Sequence, residues 1–389
     1  MTMNQTWYLI EPQAPLVFRS GKPFGAGSRD GANFPWPSAL AGLLRTQIMD
    51  SRGLQPWSNT AHREELQALS AAGPFPVECE RGQPVEVWLP KPADAVLLHD
   101  EVTGTTSYVR LSPGRFADGA GSDLPAGLAP VVFENKSKGK PQPGPAWWPT
   151  SALLDWAQGK PVDVEAIAQR CSAQPWQVER RTHVGIDRTT FASETGRLFQ
   201  TEGLDFSPAR QEEGGWQARH FALMGRGPAG IAAGSVTFGG ERRMSWLSPH
   251  GGEGLMPPAG WADRLAGGFA ITLATPALFA DGWKPGWLDA DLCGEVPGIP
   301  GLRVKLRAAA LERWQGISGW DLAAQKPRAT RKAVAAGATY WFDVLAGTPD
   351  QLEQLWLASL SDNAQDRRDG FGIALTRPWQ STLSGDQIP

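Results

Sequence analysis

PWPSALAGLLRTQIM, residues 35–49, follows the strand-like segment TWYLIEP at residues 6–12, and this succession decides the fold class. A helix is predicted within residues 35–49, because four apolar residues there have helical spacing: Leu40, Leu43, Leu44 and Ile48. Ser38 follows Pro37 as the candidate N-cap. A strand, a Gly-rich loop and a helix in this order are typical of the opening of a ferredoxin-like or RRM-like unit.

The same order of elements recurs in the last third of the chain. The strand-like segment GGFAITLATPALF covers residues 267–279, and TPDQLEQLWLASLS at residues 348–361 predicts a helix. Thr348 and Gln351 have the spacing of a capping box at the start of that helix. A second unit of the same type as the first is therefore predicted.

Between the two units, residues 180–206 form two extended segments separated by small polar residues, a pattern typical of a hairpin. The fold class predicted from these segments is α+β, with two tandem ferredoxin-like (RRM-like) domains, long loops and a protruding β-hairpin. The predicted domains are residues 1–245 and residues 246–389.

Composition limits the classes of function. The chain has 37 Lys and Arg against 40 Asp and Glu, a net charge of -3, which argues against non-specific coating of nucleic acid but leaves room for a local basic site. Its three widely spaced cysteines favour neither a disulfide framework nor a zinc site, and indicate a cytoplasmic location. We find no signal peptide pattern and no run of about 18 apolar residues, so no membrane association is predicted.

Enzyme motifs are weak throughout the sequence. GRGPAG at residues 225–230 matches a dinucleotide fingerprint, but Pro228 interrupts it and no helix is predicted after it. The five histidines include no pair at i and i+4, so neither a metal nor another cofactor is predicted. His183 is a candidate general base for metal-free RNA cleavage, or else a structural histidine in the hairpin.

The stronger signal is the association of glycines with cations in several loops. Glycine lets backbone N–H groups approach phosphate oxygens, and arginine adds charge-assisted hydrogen bonds. Together these loops predict a site that binds the backbone of single-stranded RNA. In the last of these loops, DRRDGFG at residues 366–372, the alternative is that Asp366 and Asp369 form structural ion pairs with the two arginines.

Several motifs, in this order, resemble those of the RAMP superfamily of CRISPR proteins, and more narrowly those of subunit three of the Cmr (type III-B) effector. They are PLVFRSGKPFGAG, PWPSALAGLLRT, HVGIDRTT, GGERR, SGWDLAAQKPRATRKAVAAGATYWF and RRDGFG. The resemblance implies a non-catalytic subunit that holds the repeat-derived 5′ handle of a CRISPR RNA. It also implies contacts with a large polymerase/cyclase-like subunit and with the first backbone RAMP subunit, and only indirect contact with target RNA.

By the same resemblance, a thumb hairpin is expected within residues 182–204. The RNA-binding residues predicted by motif and by resemblance are Arg19, Lys22, Arg45, His183, Arg188, Thr189, Arg242, Arg243, Lys326, Arg328, Thr330, Arg331, Gly370, Phe371 and Gly372. Two alternatives stay open: a metal-free CRISPR RNA-processing endoribonuclease with His183 as its base, and a Trp-rich module that binds a sugar or another small ligand.

Overall fold

The computed structural model describes residues 5–18, 31–135, 138–171, 174–207, 211–212, 215–216, 219–251, 255–321 and 326–380. The strands are β1 Gln5–Pro12, β2 Ala72–Glu80, β3 Gln83–Pro90, β4 Ala95–His99, β5 Thr106–Pro113, β6 Val131–Phe133, β7 Lys140–Pro141, β8 Trp147–Pro149, β9 Gln177–Ile186, β10 Ser193–Asp205, β11 Gln211–Glu212, β12 Gly215–Trp216, β13 Arg219–Pro228, β14 Gly234–Thr237, β15 Met244–His250, β16 Gly268–Leu273, β17 Cys293–Glu295, β18 Arg303–Ala310, β19 Gln315–Ile317, β20 Trp320–Asp321, β21 Lys326–Pro327, β22 Arg331–Ala333, β23 Thr339–Ala346 and β24 Ala374–Pro378. The α-helices are α1 Pro37–Arg52, α2 Thr60–Ala68, α3 Thr150–Ala157, α4 Val164–Arg170, α5 Pro349–Glu353 and α6 Ala364–Arg368.

Two compact units share the chain, and each is assembled from three separate segments. The first unit comprises Met1–Glu86, Pro175–Gly252 and Gly316–Arg331, and the second comprises Val87–Gln174, Glu253–Gln315 and Lys332–Pro389. These interleaved units do not coincide with a contiguous division at residue 245.

The first unit is built on antiparallel strands in the order β14-β15-β1-β13-β2. Helix α1 follows β1 and packs on this sheet, where its buried Leu40 and Leu44 lie over Gly225 and Gly227 of β13. A Cβ atom at either glycine would overlap the leucine above it, so the two glycines allow the close approach of the helix.

Helix α1 is confirmed, but Ser38 is not its N-cap. The helix begins at Pro37 after Trp36, and no side chain caps its first turn. Proline is suited to this first position because it has no N–H to satisfy there and its φ is already near the helical value. Gly53, in the left-handed conformation at φ 63°, ends the helix.

The second unit is built on a sheet in the order β17-β18-β23-β16-β24, which is also antiparallel. Its core contains Phe269 and Ile271 of β16, together with Tyr340 and Phe342 of β23. Further strands of this unit form a four-stranded sheet in the order β6-β5-β4-β7. The protein is therefore a mixed α/β molecule with antiparallel sheets.

The helix predicted over residues 348–361 is shorter than expected. The capping box is confirmed, since the Gln351 N–H donates to Thr348 Oγ1 at 3.4 Å and the Thr348 N–H donates to Gln351 Oε1 at 2.7 Å. Helix α5 nevertheless ends at Glu353, and Leu357 takes a positive φ of 60°. Burial of the apolar side chains that follow α5 outweighs the local preference for helix.

Candidate nucleic-acid interface

Strands β9 and β10 form a two-stranded antiparallel hairpin that contains the predicted thumb, residues 182–204. Most of its side chains are exposed. Its base is fixed to the first unit because Leu16 and Leu204 exchange two backbone hydrogen bonds of 2.8 Å. The hairpin is thus an exposed projection on an anchored base.

His183 lies on the hairpin opposite Phe199, with the two rings stacked at a centroid distance of 5.1 Å. Its Nε2 atom is 2.8 Å from Thr201 Oγ1. Among the described residues, no carboxylate lies within ion-pair distance of this imidazole. The geometry therefore supplies His183 with a hydroxyl partner and an aromatic platform, but with no acid that would orient it as a general base.

The tip of the hairpin is shaped by Asp187. Its Oδ1 atom accepts hydrogen bonds from the N–H groups of Thr189 at 2.7 Å and Thr190 at 2.8 Å. The backbone hydrogen bond from Thr190, then that from Thr189, lowers the pKa of the Asp187 carboxyl below its usual value. Arg188 and Phe191 are both exposed there, and Phe191 is 82% exposed with a φ of 56°. The turn thus presents a cation and an aromatic ring to solvent.

A second loop lies against the start of the N-terminal Gly-rich loop. Gly239 has a φ of 89°, and a Cβ there would lie 2.8 Å from the Val17 carbonyl oxygen. The N–H of Gly240 donates to that same oxygen at 2.7 Å. Arg19 and Lys22, which follow Val17 in sequence, lie outside the described residues.

The two predicted arginines of this loop differ in availability. Arg243 is paired with Glu241 at 2.7 Å and is half-buried. Arg242 is exposed, and no described residue forms an ion pair with it. Both Glu241 and Arg242 have positive φ values, 58° and 51°, which non-glycine residues adopt at a cost. Among the described residues, Arg242 is therefore the arginine of this turn that has no acidic partner.

Residues 326–332 form a cationic segment in the last third of the chain, which is called the basic arm below. Its first part pairs with β20, where Lys326 stands opposite Asp321. The Arg328 N–H donates to the Gly319 carbonyl at 2.8 Å, and the Arg328 carbonyl accepts from Ser318 Oγ at 2.8 Å. Its exposed polar side chains are Lys326, Arg328, Thr330, Arg331 and Lys332. An ordered backbone therefore carries a row of solvent-facing cations.

Arg45 is placed differently from the prediction. It lies on α1, is half-buried, and its Nη2 atom donates to the Leu69 carbonyl at 2.8 Å. This bond ties the helix to the segment after α2. The described geometry gives Arg45 a structural contact in the free chain.

The loop from Gly370 to Gly372 corrects a second prediction. All three residues are buried, with Phe371 only 1% exposed. Their N–H groups already donate to protein carbonyls, those of Arg367, Asp366 and Pro276 respectively. A loop that grips phosphate needs free donors, so these residues form a core turn and not an RNA-facing loop.

Among the described residues, none of the helices has the length and apolar character needed to cross a membrane. Nowhere in that part of the chain do three or more His, Cys, Asp or Glu side chains come together in a way that could hold a metal ion.

The described chain is a mixed α/β protein with antiparallel sheets that carries exposed cations on ordered loops and on a hairpin. The model of one family of CRISPR-associated proteins matches residues 8–379, nearly the whole chain. The chain therefore belongs to the CRISPR-associated protein family Cas_Cmr3, and it is a subunit of a type III-B CRISPR effector complex. No curated protein matches it in sequence.

Solved structures resemble the chain distantly. A chain of type III-B Cmr-beta bound to cognate target RNA and AMPPnP, determined by cryo-EM, is 16% identical with a TM-score of 0.45, and the match covers 86% of each chain. A chain of the type III-A Csm3-Csm4 subcomplex is 8% identical with a TM-score of 0.36, covering 88% of this chain and 94% of the other.

Proposed function

We propose that the chain is a non-catalytic RNA-binding subunit that holds the repeat-derived 5′ handle of the CRISPR RNA. In the assembled effector it bridges the large polymerase-like subunit and the first backbone RAMP subunit. The observation that carries the proposal is the basic arm, where an ordered backbone holds solvent-facing Lys326, Arg328 and Arg331. A ribonucleoprotein subunit needs such a local site, and it does not need a basic chain overall.

The fold supports the same proposal. In the first unit the strands β15-β1-β13-β2 follow one another in space, and in the second unit β24-β16-β23-β18 do so. Numbered along the chain within each set, both orders read fourth, first, third, second, which is the order of a ferredoxin-like sheet. We infer two ferredoxin-like units, each with one helix of the usual pair replaced by loops.

The exposed cations of the basic arm make a quantitative prediction. A lysine or arginine that neutralises one phosphate of single-stranded RNA contributes roughly 0.7 to the slope of log K against log salt. Arg328→Ala combined with Arg331→Ala should therefore weaken RNA binding and lower the slope by up to about 1.4. The matched control is Arg52→Ala with Lys160→Ala, which removes two exposed cations that are paired with Glu65 and Asp155.

The direct experiment is to purify the tagged chain from its own host at moderate salt. The co-purifying RNA is sequenced and the co-purifying proteins are identified. We expect CRISPR RNAs with a uniform repeat-derived 5′ end, together with a large polymerase-like subunit. Recovery of the chain alone and without RNA would contradict the proposal and favour a small-ligand binder.

The non-catalytic part of the proposal has its own test. Incubating the purified chain with repeat RNA should leave the RNA intact, because His183 has only Thr201 and Phe199 as partners among the described residues. Cleavage that is lost in His183→Ala would instead identify a processing endoribonuclease.

A further inference from the structure

Trp314 is an exposed aromatic residue beside Lys332. It precedes β19 directly and is 58% exposed. The Lys332 ammonium, at the end of the basic arm, lies 5.2 Å from the centroid of the indole ring. Sequence motifs did not single out this tryptophan, because no pattern in the sequence distinguishes it from the other 17.

The indole has one cation beside it in space, Lys332, and another beside it in the sequence, Arg313. Arg313 and Lys332 are both exposed. Glu312 is the acidic neighbour, and its charge acts on Lys91: burial lowers the pKa of Lys91, and Glu312 opposes that shift. A large apolar ring with a cation beside it fits a nucleotide, whose base is flat and whose phosphate is anionic.

We propose that Trp314 stacks on an unpaired base of the bound RNA, beside Lys332. The proposal rests on the proposed function and names the form of RNA bound at this site, which is single-stranded. A base inside a duplex has both faces covered by its neighbours, so only an unpaired base can stack on a surface indole. Lys332 lies over the indole ring, and its ammonium group is therefore positioned to contact the phosphate of the stacked nucleotide.

A second tryptophan provides a matched control. Trp57 is also 58% exposed, but among the described residues no cation lies over its ring. If exposure alone caused an effect on RNA binding, Trp57→Leu and Trp314→Leu would behave alike. Because both side chains are more than half exposed, both variants should fold, which thermal unfolding checks.

The experiment measures binding of the full chain to single-stranded repeat RNA across a range of salt concentrations. Trp314→Leu should weaken binding about tenfold, as expected for one lost base stack, while the salt slope stays unchanged. Trp314→Phe should retain part of the binding, and Trp57→Leu all of it. Ultraviolet cross-linking should join RNA to the peptide that contains Trp314.

Each outcome decides between the two proposals. Equal binding by Trp314→Leu and Trp57→Leu overturns the stacking proposal, and it leaves the proposed function standing if the variant of Arg328 and Arg331 still loses affinity. No RNA binding by the unaltered chain overturns both. Loss of a protein subunit from the particle in Trp314→Leu, with RNA affinity unchanged, would identify a protein contact and also overturn the stacking proposal.

Discussion

Replacing Asp94 by alanine should destabilise the chain more than any change to a surface ion pair. Asp94 is fully buried in the second unit. Its carboxylate accepts hydrogen bonds from Arg377 Nη2 at 2.8 Å, Thr339 Oγ1 at 3.0 Å and Trp156 Nε1 at 3.1 Å, and Arg110 Nη1 lies 3.7 Å away. One buried carboxylate therefore faces two guanidinium groups, and Arg110 has a second acidic neighbour in Glu134, 3.7 Å from its Nε atom.

The cost follows from what the substitution leaves behind. Arg377 is only 6% exposed, so Asp94→Ala leaves a buried cation without its acidic partner. Breaking a buried pair in this way costs about 3–5 kcal/mol of unfolding free energy. With a urea dependence of about 3 kcal/mol per M, the midpoint of unfolding should fall by roughly 1 M or more.

Urea unfolding of the purified chain, followed by tryptophan fluorescence, measures this shift. Glu65→Ala is the control, because it removes one partner of the exposed pair with Arg52 at 2.7 Å and should cost about 1 kcal/mol or less. Asp94→Ala with a midpoint no lower than that of Glu65→Ala would refute the reasoning, since it would mean that Arg377 regains a partner or water at no cost.

Two further predictions concern packing and reactivity. Gly225→Ala would push a methyl group into Leu40 and should lower the free energy of unfolding by about 1–3 kcal/mol. In Gly42→Ala, a residue of α1, the new methyl group meets no other atom, and the free energy of unfolding should rise by about 0.5–1 kcal/mol. Equal shifts of the two variants in urea unfolding would contradict the packing of α1 on β13. Burial raises the pKa of the Cys79 thiol to about 12. A thiol reagent at about pH 8 should therefore modify the half-exposed Cys293 first and Cys79 only on unfolding, which peptide mass spectrometry measures. Equal rates of modification at the two cysteines would contradict the burial of Cys79.

Local patterns predicted the elements that local interactions determine. Helix α1 follows from apolar spacing, and the capping box of Thr348 and Gln351 follows from a four-residue motif. The hairpin of β9 and β10 follows from two extended segments around a polar turn. In each case the residues that form the element are close together in the sequence.

The features that the sequence patterns did not predict depend on contacts between residues that are distant in the sequence. The Gly370 carbonyl accepts from Thr275 Oγ1, which lies 95 residues earlier, and this contact helps to bury a loop whose composition suggested a surface. Arg45 is held by Leu69, 24 residues later. No local motif signals such partners, so the composition of a loop cannot tell an exposed cationic turn from a buried one.

The interleaving of the two units has a consequence for how the chain is made. The first unit includes Gly316–Arg331 and the second includes Lys332–Pro389, so neither unit has all of its segments until the ribosome has passed residue 316. A fragment that ends at residue 245 would contain Val87–Gln174 without the rest of its unit. Each unit can therefore complete its folding only after its third segment has been made, and until then its earlier segments are exposed and depend on chaperones.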